Sequence, residues 1–445
     1  MWRNWSGGQR CEPAVIERPS SSEEIARALG RAAAAGQTVR VGGSGHSFTD
    51  LVPTDQRLVL LDRMTRVLEV DRERARVKVE AGLPLWALNQ TLAEHGLAMP
   101  NLGDVDAQTV AGALSTGTHG TGARLPNLAA QVEALELVTA SGEVVRCSAG
   151  DPDLELFRAA RISLGALGIL STVTLRCVPA FTLCAVEAPM PLDEVLSRVD
   201  ALADGNDHFE FFLFPYARVA MTKANNRTDE PPAPPSKLAW WTQKMLVENH
   251  AFGLLTRAGR TFPGWIPAIN RTASRFASRT RCVDRSDRIF VTPRRVRFEE
   301  LEYAVPREAA ASAVRGALDA IEQGHHPANF PLEVRFVAPD DAFLSPAYER
   351  PTCYIAVHVG QGLPWEPCFR AVEKVMEAHG GRPHWGKRHF QTAETLAPRY
   401  PAWQRFQQVR ARVDPKGLLT SPALERLLGK VGSQPHHSPA RAAQG

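Results

Sequence analysis

Hydrophobic positions in the first 180 residues form short runs that alternate between helical and strand spacing. Residues 22–35 have helical spacing, with Ser21 and Glu24 placed as a capping box before the helix and Gly36 after it. A second helical run, residues 84–95, is followed by Gly96. Strand patterns cover residues 38–42, 57–62, 66–71 and 76–81, and residues 132–147 predict a hairpin. Closely spaced strands with helices between them indicate an α+β fold, not a doubly wound parallel sheet.

The pattern changes after residue 180. Strand-like runs return at residues 209–214, 295–303, 332–337 and 354–359, and helical spacing returns at residues 309–323 and 369–379. Residues 225–236 carry four prolines among charges, which predicts an exposed loop or lid. The polar, proline-containing residues 431–445 predict a disordered tail. We therefore expect a second α+β domain in this half of the chain.

Composition narrows the class of protein. With 44% hydrophobic and 22% charged residues and a net charge of +4, the chain is typical of a globular protein. Its charges are dispersed, which argues against a dedicated nucleic-acid binder. The longest uncharged stretch near the middle, residues 162–175, is shorter than the roughly 20 apolar residues of a membrane span. Seven scattered cysteines without a C-x-x-C motif argue against a disulfide framework and a zinc site. We expect no metal site and a cytoplasmic location, with peripheral membrane contact left open.

Two glycine-rich segments are candidates for ligand binding. The first follows a predicted strand and reads Gly42-Gly43-Ser44-Gly45-His46-Ser47. Glycines allow backbone N–H groups to turn toward an anion, so this segment suits a phosphate, although an ordinary turn would look similar. The second, residues 111–122, is rich in glycine and other small residues and suits a planar or phosphorylated ligand. A glycine-rich hairpin is the alternative for the second segment.

Two further segments carry charged side chains. Glu333 and Arg335 are two residues apart on a predicted strand and therefore share a face, where they could bind hydroxyls or a polarised carbonyl. A surface salt bridge is the alternative for this pair. His384 and Lys387, one of only eight lysines, lie in the sequence Pro-His-Trp-Gly-Lys-Arg-His. A solvated basic turn is the alternative there, and Arg388 at the position of the magnesium-binding Ser/Thr excludes a P-loop.

Together, these segments resemble the FAD-linked oxidoreductases of the vanillyl-alcohol-oxidase superfamily, and within it the sugar-1,4-lactone oxidase group. The similarity runs from Asn4 to about Leu428, and its most specific pieces are Gly-Ser-Gly-His-Ser, Gly-Thr-His-Gly-Thr-Gly, Glu-x-Arg and His-Trp-Gly-Lys. The resemblance implies a PCMH-type FAD-binding domain over residues 1–178, rejoined by residues 383–430. Residues 179–382 would form an α+β substrate or cap domain.

The resemblance also implies roles for individual residues. His46 matches the histidine that bonds covalently to the flavin, and no Cys between Cys11 and Cys147 offers a second bond. Lys387, Arg335 and Glu333 match catalytic and substrate-binding positions, and His358 is a further substrate-binding candidate. The other positions implied to bind FAD are Gly42, Gly43, Ser44, Gly45, Ser47, Gly103, Asp104, Ala113, Ser115, Thr116, Gly117, Thr118, Ile169 and His384. Gly165 and Ala166 are weaker candidates for the adenine or ribose end.

The implied reaction is oxidation of an aldono-1,4-lactone, with L-gulono-1,4-lactone to L-ascorbate favoured. Oxidation of an alditol at the same site is one alternative, and a flavin-bearing redox partner without turnover is another. The electron acceptor would be O2, a redox protein or a dye. Gly103 matches a position where glycine leaves room for O2, although a turn with positive φ would also require glycine there.

Overall fold

The computed structural model describes residues 1–234, 236, 252–276, 278–292 and 296–432. The strands in this part of the chain are β1 (Trp2–Arg3), β2 (Arg10–Cys11), β3 (Val15–Glu17), β4 (Val39–Gly42), β5 (Arg57–Leu60), β6 (Val67–Asp71), β7 (Arg76–Glu80), β8 (Leu97–Ala98), β9 (Val132–Val138), β10 (Val144–Ser148), β11 (Ile169–Arg176), β12 (Val178–Pro179), β13 (Thr182–Pro191), β14 (His208–Leu213), β15 (Val219–Thr228), β16 (Thr280–Arg285), β17 (Phe298–Pro306), β18 (Leu332–Val337), β19 (Thr352–Gly360) and β20 (Arg382–Pro383).

The α-helices of the same residues are α1 (Ser22–Ala34), α2 (Leu85–Glu94), α3 (Val110–Ser115), α4 (Leu154–Ala160), α5 (Leu192–Ser197), α6 (Val199–Asp204), α7 (Phe252–Thr261), α8 (Ile266–Arg275), α9 (Ser286–Phe290), α10 (Ala310–Gln323), α11 (Trp365–Ala378), α12 (Ala393–Leu396), α13 (Trp403–Val413) and α14 (Pro422–Leu428). Short 3₁₀ helices cover Leu128–Gln131, Pro263–Trp265, Arg307–Ala309 and Ala397–Arg399. The mixture of sheets and helices confirms the predicted α+β class. Most of the predicted tail, residues 433–445, lies outside the described residues.

Helix α1 begins close to where the sequence predicts. The Ser21 hydroxyl accepts a hydrogen bond from the Glu24 backbone N–H at 3.3 Å, as an N-cap does. The Glu24 carboxylate accepts from the backbone N–H of Ser20 at 2.7 Å, one residue before the partner that a capping box would give it. The helix ends at Ala34, and Gly36 has a φ of +62°, a left-handed conformation that glycine adopts without strain.

Of the four sheets built from the first 180 residues, two have only two strands each, β1-β2 and β12-β8. A parallel three-stranded sheet has the order β3-β5-β4, and an antiparallel five-stranded sheet has the order β10-β9-β11-β7-β6. The predicted hairpin is β9 with β10, paired from Val138 opposite Val144. Strand β4 runs directly into the first glycine-rich segment, and the backbone N–H of Val39 donates to the Leu418 carbonyl at 2.8 Å. The C-terminal part of the chain therefore returns to the first domain's strands.

The largest sheet has eight strands in the order β16-β13-β15-β14-β18-β19-β17-β20. All of its pairings are antiparallel. The prediction of a loop from residue 225 was wrong at its start, because residues 225–228 complete β15. Asn225 lies opposite Ala185 on one side and His208 on the other, so pairing with two neighbouring strands overrides its weak strand propensity. The proline-rich residues 231–234 are exposed, as predicted, and Pro235 lies outside the described residues.

The described hydrophobic side chains form two large clusters. One combines residues of the first 185 positions with C-terminal residues, such as Leu135 with Trp385, Trp403 and Leu424, and it also includes Ile289, Phe290, residues 342–344 and Tyr348. The other packs α10 and α11 against the eight-stranded sheet and lies within residues 192–376. Within the described residues, we find no helix with both the length and the hydrophobicity of a membrane span.

Gly82 and Gly30 offer a matched test of the packing. A Cβ at buried Gly82 would contact the Leu61 carbonyl and lie 2.7 Å from the Met64 carbonyl oxygen, whereas one at exposed Gly30 in α1 meets no atom within 4 Å. We expect Gly82→Ala to lower the unfolding free energy by more than about 2 kcal/mol. Gly30→Ala should raise it by about 0.5–1 kcal/mol. Denaturant titration of both proteins checks this, and equal stabilities would contradict the backbone clash at Gly82.

Candidate active site

A cavity of about 1140 Å³ brings the eight-stranded sheet together with residues from the first 120 positions. From the sheet, it is lined by Glu300, Glu302, Glu333, Arg335 and His358. From the other side, it is lined by His46, Ser47, Gly103, Asp104, Thr116, Thr118 and His119, and from the segment after β20 by His384 and Lys387. Several residues that the sequence singled out are therefore neighbours, although His46 and Lys387 are 341 positions apart along the chain.

A second cavity of about 480 Å³ is lined by the first glycine-rich segment. Gly42, Gly43, Ser44, Gly45, His46 and Ser47 all contribute to it, together with Thr109, Gly112, Ser115, Thr116, Leu164 and Gly165. Four residues line both cavities, namely His46, Ser47, Gln108 and Thr116. The two cavities therefore adjoin each other, and His46 lies where they meet.

The glycines of the first segment are required by this geometry. A Cβ at Gly43 would lie 2.6 Å from the Thr109 hydroxyl oxygen, and Gly45 has a φ of +76°. Backbone atoms therefore form this wall of the smaller cavity, where a side chain would not fit. Such a wall suits the phosphates of a dinucleotide, while the larger cavity has room for the planar ring of a flavin.

His46 is held against Trp5, with the two ring centroids 5.7 Å apart and the rings stacked. Burial, together with the nearby positive charge of Lys387, lowers the pKa of His46 to about 4. The imidazole is therefore neutral near pH 7. A neutral imidazole has a nitrogen lone pair available for bonding to carbon, whereas an imidazolium does not.

A row of alternating charges crosses four strands of the large sheet. Glu187, Lys223, Glu210 and Arg335 lie directly opposite one another, in that order, on β13, β15, β14 and β18. Lys223 Nζ is 3.0 Å from a Glu210 carboxylate oxygen, and Arg335 Nε donates to the other oxygen at 2.8 Å. Opposite charges paired across strands stabilise each other, so the sheet register itself assembles this row.

Arg335 is a buried centre of this network and not a member of a surface salt bridge. Its guanidinium also contacts the carboxylates of Asp104 and Glu333. Burial alone would lower the pKa of Arg335, but Asp104, Glu333 and Glu210 hold it well above the usual value. Arg335 therefore provides a permanent positive charge at the cavity wall.

Lys387 provides a second cation. Its Nζ lies 2.6 Å from a Glu300 carboxylate oxygen and 5.3 Å from the centre of the Phe48 ring. Burial alone would lower the pKa of Lys387, but the negative charges of Glu300 and Glu302 outweigh burial and raise it. Lys387 thus keeps its proton near neutral pH, which argues against it as the group that accepts a proton.

Two histidine–glutamate pairs line this cavity. His358 Nδ1 faces the Pro331 carbonyl at 2.9 Å and its Nε2 faces Glu300 at 3.4 Å. His119 Nδ1 faces the Gly120 carbonyl at 2.9 Å and its Nε2 faces Glu302 at 3.2 Å. A backbone carbonyl only accepts hydrogen bonds, so Nδ1 is the nitrogen that donates to it, and Nε2 is the nitrogen that faces the carboxylate.

Three cations, Lys223, Arg335 and Lys387, face carboxylates at the base of the cavity. These carboxylates are those of Asp104, Glu210, Glu300, Glu302 and Glu333, and His358 and His119 face two of them. Burying these carboxylates without partners would be very costly, so the contacts are a condition for the fold.

His384 differs from the other two histidines. It is almost fully buried, and its Nδ1 accepts a hydrogen bond from the Gly386 backbone N–H at 3.0 Å. Burial lowers the pKa of His384 to about 3 despite the nearby Glu302 carboxylate. His384 is therefore a neutral residue of the cavity wall.

Some predicted FAD-binding residues line neither cavity. Ala113 and Ile169 are fully buried in the first hydrophobic cluster, as is Ala166. Gly117 has a φ of +75°, and a Cβ there would contact Ile162. Asp104 contacts Arg335 on the large sheet and does not line the smaller cavity. Ala113, Gly117, Ala166 and Ile169 therefore line neither cavity, whereas Asp104 lines the larger one.

Gly103 lies in the wall of the larger cavity, but its backbone is not in the left-handed region. The alternative that a turn requires glycine at this position is therefore wrong. A Cβ at Gly103 would lie 3.0 Å from the His119 carbonyl oxygen and 3.5 Å from a Thr118 methyl group. That fit is tight but needs a shift of only a few tenths of an ångström.

Sequence reasoning missed Glu300, Glu302, His119, Lys223 and Glu210. A signal was present in β17, where Glu299, Glu300 and Glu302 interrupt a strand that is otherwise apolar. Three carboxylates within four positions of a strand buried along nearly its whole length require partners. His119 lay inside the second glycine-rich segment, but nothing in the sequence paired it with a glutamate 183 positions later.

Two family models match different parts of the chain. A family model described as D-arabinono-1,4-lactone oxidase matches residues 173–427, and one described as FAD binding domain matches residues 13–148. The chain is 48% identical to L-gulono-1,4-lactone dehydrogenase of Mycobacterium tuberculosis, covering 96% of this chain and 99% of the relative. It is 35% identical to L-gulonolactone oxidase of Bos taurus, covering 96% and 98% of the two chains. A solved structure titled "Solvent-stable cholesterol oxidase" shares the fold, with a TM-score of 0.81 at 19% identity and coverage of 96% and 97%.

Proposed function

Since the chain belongs to the D-arabinono-1,4-lactone oxidase family, we propose that it is an FAD-dependent enzyme that oxidises an aldono-1,4-lactone, with L-gulono-1,4-lactone to L-ascorbate favoured. One observation carries this proposal: His46, Glu333, Arg335 and Lys387 line a single cavity beside a second cavity walled by glycine. A flavin carrier without turnover would not need the charged residues of that cavity.

We assign the FAD-binding domain to residues 1–178 with 383–430 and the substrate domain to residues 179–382. The second hydrophobic cluster, which lies within residues 192–376, supports this division, while Ile289, Phe290 and residues 342–344 of the substrate domain pack into the first cluster. The FAD phosphates would be held by residues 42–47 with Ser115 and Thr116, and the flavin ring by the larger cavity. Glu333, Arg335, His358 and Lys387 would then contact the substrate hydroxyls.

Bound FAD would supply the hydride acceptor, and charged side chains of the protein would stabilise the charge that develops on the substrate. As the hydroxyl proton is removed, the hydroxyl oxygen gains the negative charge that drives hydride departure from its carbon. Lys387 and Arg335, both kept protonated, would stabilise that charge. Glu333 is then the group that we assign to accept the hydroxyl proton.

The substrate assignment is tested by assaying the purified protein with gulonolactone, galactonolactone and xylitol. Higher kcat/KM with a lactone than with xylitol supports lactone oxidation. A preference for xylitol would instead support alditol oxidation at the same site. Complete inactivity with all three compounds and with several acceptors would contradict both.

We predict that FAD is bonded covalently to His46. The neutral imidazole at the junction of the two cavities supports this. His46→Ala should abolish covalent attachment while leaving FAD bound by the glycine-rich backbone. Acid precipitation checks this: wild-type protein should stay yellow and the variant should release its flavin. Wild-type protein that releases all of its FAD would refute covalent attachment.

We predict that Lys387→Ala lowers turnover by about 10²–10³-fold, as expected for the loss of one charged contact to a developing alkoxide. Lys416→Ala, at an exposed position outside both cavities, serves as the matched control. Steady-state kinetics of FAD-loaded protein measures both. Near-normal turnover in Lys387→Ala would favour the alternative that Lys387 belongs to a solvated basic turn without a role in turnover.

Glu300 should set the alkaline limit of activity. Glu300→Gln removes the carboxylate that raises the pKa of Lys387, so that pKa falls and Lys387 loses its proton at lower pH. We expect the alkaline limb of the kcat profile to move down by about one pH unit or more. Glu299→Gln is the control, because Glu299 is in the same strand but pairs with Arg388. Glu300→Asp keeps a carboxylate and should therefore move the alkaline limb less than Glu300→Gln does. An alkaline limb that does not move in Glu300→Gln would contradict this role.

Gly103 should affect the acceptor. We predict that the reduced flavin reacts to some extent with O2. We expect Gly103→Ala to slow reoxidation of the flavin by O2 and to leave its reduction by substrate unchanged, because the added Cβ narrows the larger cavity. Anaerobic stopped-flow reduction followed by mixing with O2 separates the two steps. Equal reoxidation rates in wild type and FAD-loaded variant would show that Gly103 does not control oxygen access, and reoxidation only by a dye or protein would favour a dehydrogenase.

A further inference from the structure

The row of alternating charges extends beyond Arg335 along the wall of the larger cavity. Arg335 lies on β18, Glu210 on the neighbouring strand β14, and Lys223 on β15, the next strand of the sheet. Lys223 and Glu187, which lie opposite each other on β15 and β13, also line this cavity. Neither of these two residues has a part in the hydride and proton transfers of the proposed reaction. Their presence in the cavity wall therefore needs a separate explanation.

A single carboxylate separates Lys223 from Arg335. Lys223 Nζ is 3.0 Å from one oxygen of Glu210, and Arg335 Nε donates to the other oxygen at 2.8 Å. All three residues are buried, so these charges meet inside the protein and not at its surface. A ligand whose ring lies against Arg335 would therefore have a short side chain within reach of the Lys223 ammonium group.

The reacting end of the cavity lies toward the other edge of the sheet. His46 stacks on Trp5, and the centroid of the Trp5 ring is 5.3 Å from that of Phe298 in β17. Lys387 contacts a carboxylate of the same strand. Strands β14, β18 and β19 lie between β15 and β17. The cavity thus extends across the sheet, from the residues assigned to flavin attachment and alkoxide stabilisation toward Lys223.

An aldono-1,4-lactone in this cavity would have a definite orientation. The carbon that is oxidised is next to the lactone carbonyl, whereas the exocyclic carbons leave the ring at C4, across the ring from the oxidised carbon. With the oxidised carbon near Lys387, the exocyclic chain extends along the sheet toward β14 and β15. A six-carbon lactone has two hydroxyls on that chain, and a five-carbon lactone has one.

The charged side chains at this end of the cavity suit such hydroxyls. An ammonium group has three donors, and Glu210 occupies one of them, so Lys223 can also donate to a ligand. Burial alone would lower the pKa of Lys223, but the negative charges of Glu210, Asp104 and Glu187 outweigh burial and raise it. Lys223 therefore remains a donor near neutral pH, and the Glu187 carboxylate beside it is an acceptor for a hydroxyl proton.

Two apolar side chains lie beside these charged ones. Phe212 and Met221 lie opposite each other on β14 and β15, two positions from Glu210 and Lys223 and therefore on the same face of the sheet. Both line the larger cavity. The hydroxyls of an exocyclic chain would meet the charged groups, while its carbons would pack against these two side chains. The combination suits a polyhydroxylated carbon chain.

We propose that Lys223, with Glu187 beside it, binds the exocyclic hydroxyls and thereby selects six-carbon over five-carbon aldono-1,4-lactones. This role rests on the proposed function, since it requires that a lactone is oxidised in the larger cavity. It assigns the chain length of the substrate to residues outside the reacting end. A lysine that only neutralised Glu210 would affect both classes of lactone alike, because each needs Arg335 in the same position.

The test compares kcat/KM of the FAD-loaded protein for L-gulono-1,4-lactone and D-lyxono-1,4-lactone, which has the same ring configuration and lacks one exocyclic carbon. We expect wild type to prefer the six-carbon lactone. Lys223→Met should lower this preference about tenfold or more, as expected for the loss of a hydrogen bond from a charged group. Lys223→Arg keeps the charge that faces Glu210 and should retain part of the preference. Glu187→Ala, at a half-buried position in β13, should also lower it.

Two further variants are matched controls. Asp104→Asn removes a carboxylate from Arg335 but leaves the contact between Lys223 and Glu210, so it should lower kcat/KM for both lactones by a similar factor. Lys416→Met, at an exposed position outside both cavities, should leave both values unchanged.

The outcomes separate this role from the proposed function. Equal losses for the two lactones in Lys223→Met, or a wild-type protein that oxidises both without preference, would overturn the role of Lys223 and leave lactone oxidation intact. Wild-type protein that is inactive with both lactones would contradict the proposed function, and this role with it.

Discussion

Buried negative charge is the constraint on which the cavity depends. Glu300 and Glu302 on β17 and Glu333 on β18 would each be costly to bury alone. The sheet register provides the compensation, because Glu300 lies directly opposite His358 and Glu210 lies between Lys223 and Arg335. A slip of one residue in any of these pairings would turn the side chains of that strand to the other face. The strand register therefore determines which charges are paired, and the need to pair buried charges favours this register over a shifted one.

The same pairing of charges determines which groups in the cavity keep their protons. Lys387 and Arg335 keep their protons because carboxylates face them, and burial leaves His46 and His384 neutral. Groups of the same residue type thus have different partners within one cavity. Histidine shows this most clearly, because His119 and His358 face glutamates while His384 accepts from a backbone N–H.

The chain order of the fold also matters for the site. Lys387 and His384 follow β20, the edge strand of the large sheet, and the chain then returns to pack Trp403 and Leu424 into the first hydrophobic cluster. The segment that carries Lys387 is therefore fixed at both ends, by the sheet before it and the first cluster after it. The Phe48 backbone N–H also donates to the Gly386 carbonyl at 2.7 Å, which joins this segment to the first glycine-rich loop.

The sequence by itself determined the elements with strong local signals. Helix α1, the β9–β10 hairpin and the strands that carry Glu333 and His358 were predicted within a few residues, because capping groups and alternation are local properties. It also determined where glycine is needed beside His46 and, through motif order, the family. Only the tertiary structure decided which charges meet. The partners of Glu302, Arg335 and Lys387 come from distant strands and segments, and their contacts depend on sheet order and register, which short-range patterns do not encode. For the same reason, Ala113 and Ile169 belong to the core and not to a cavity wall, since burial is a property of the whole fold.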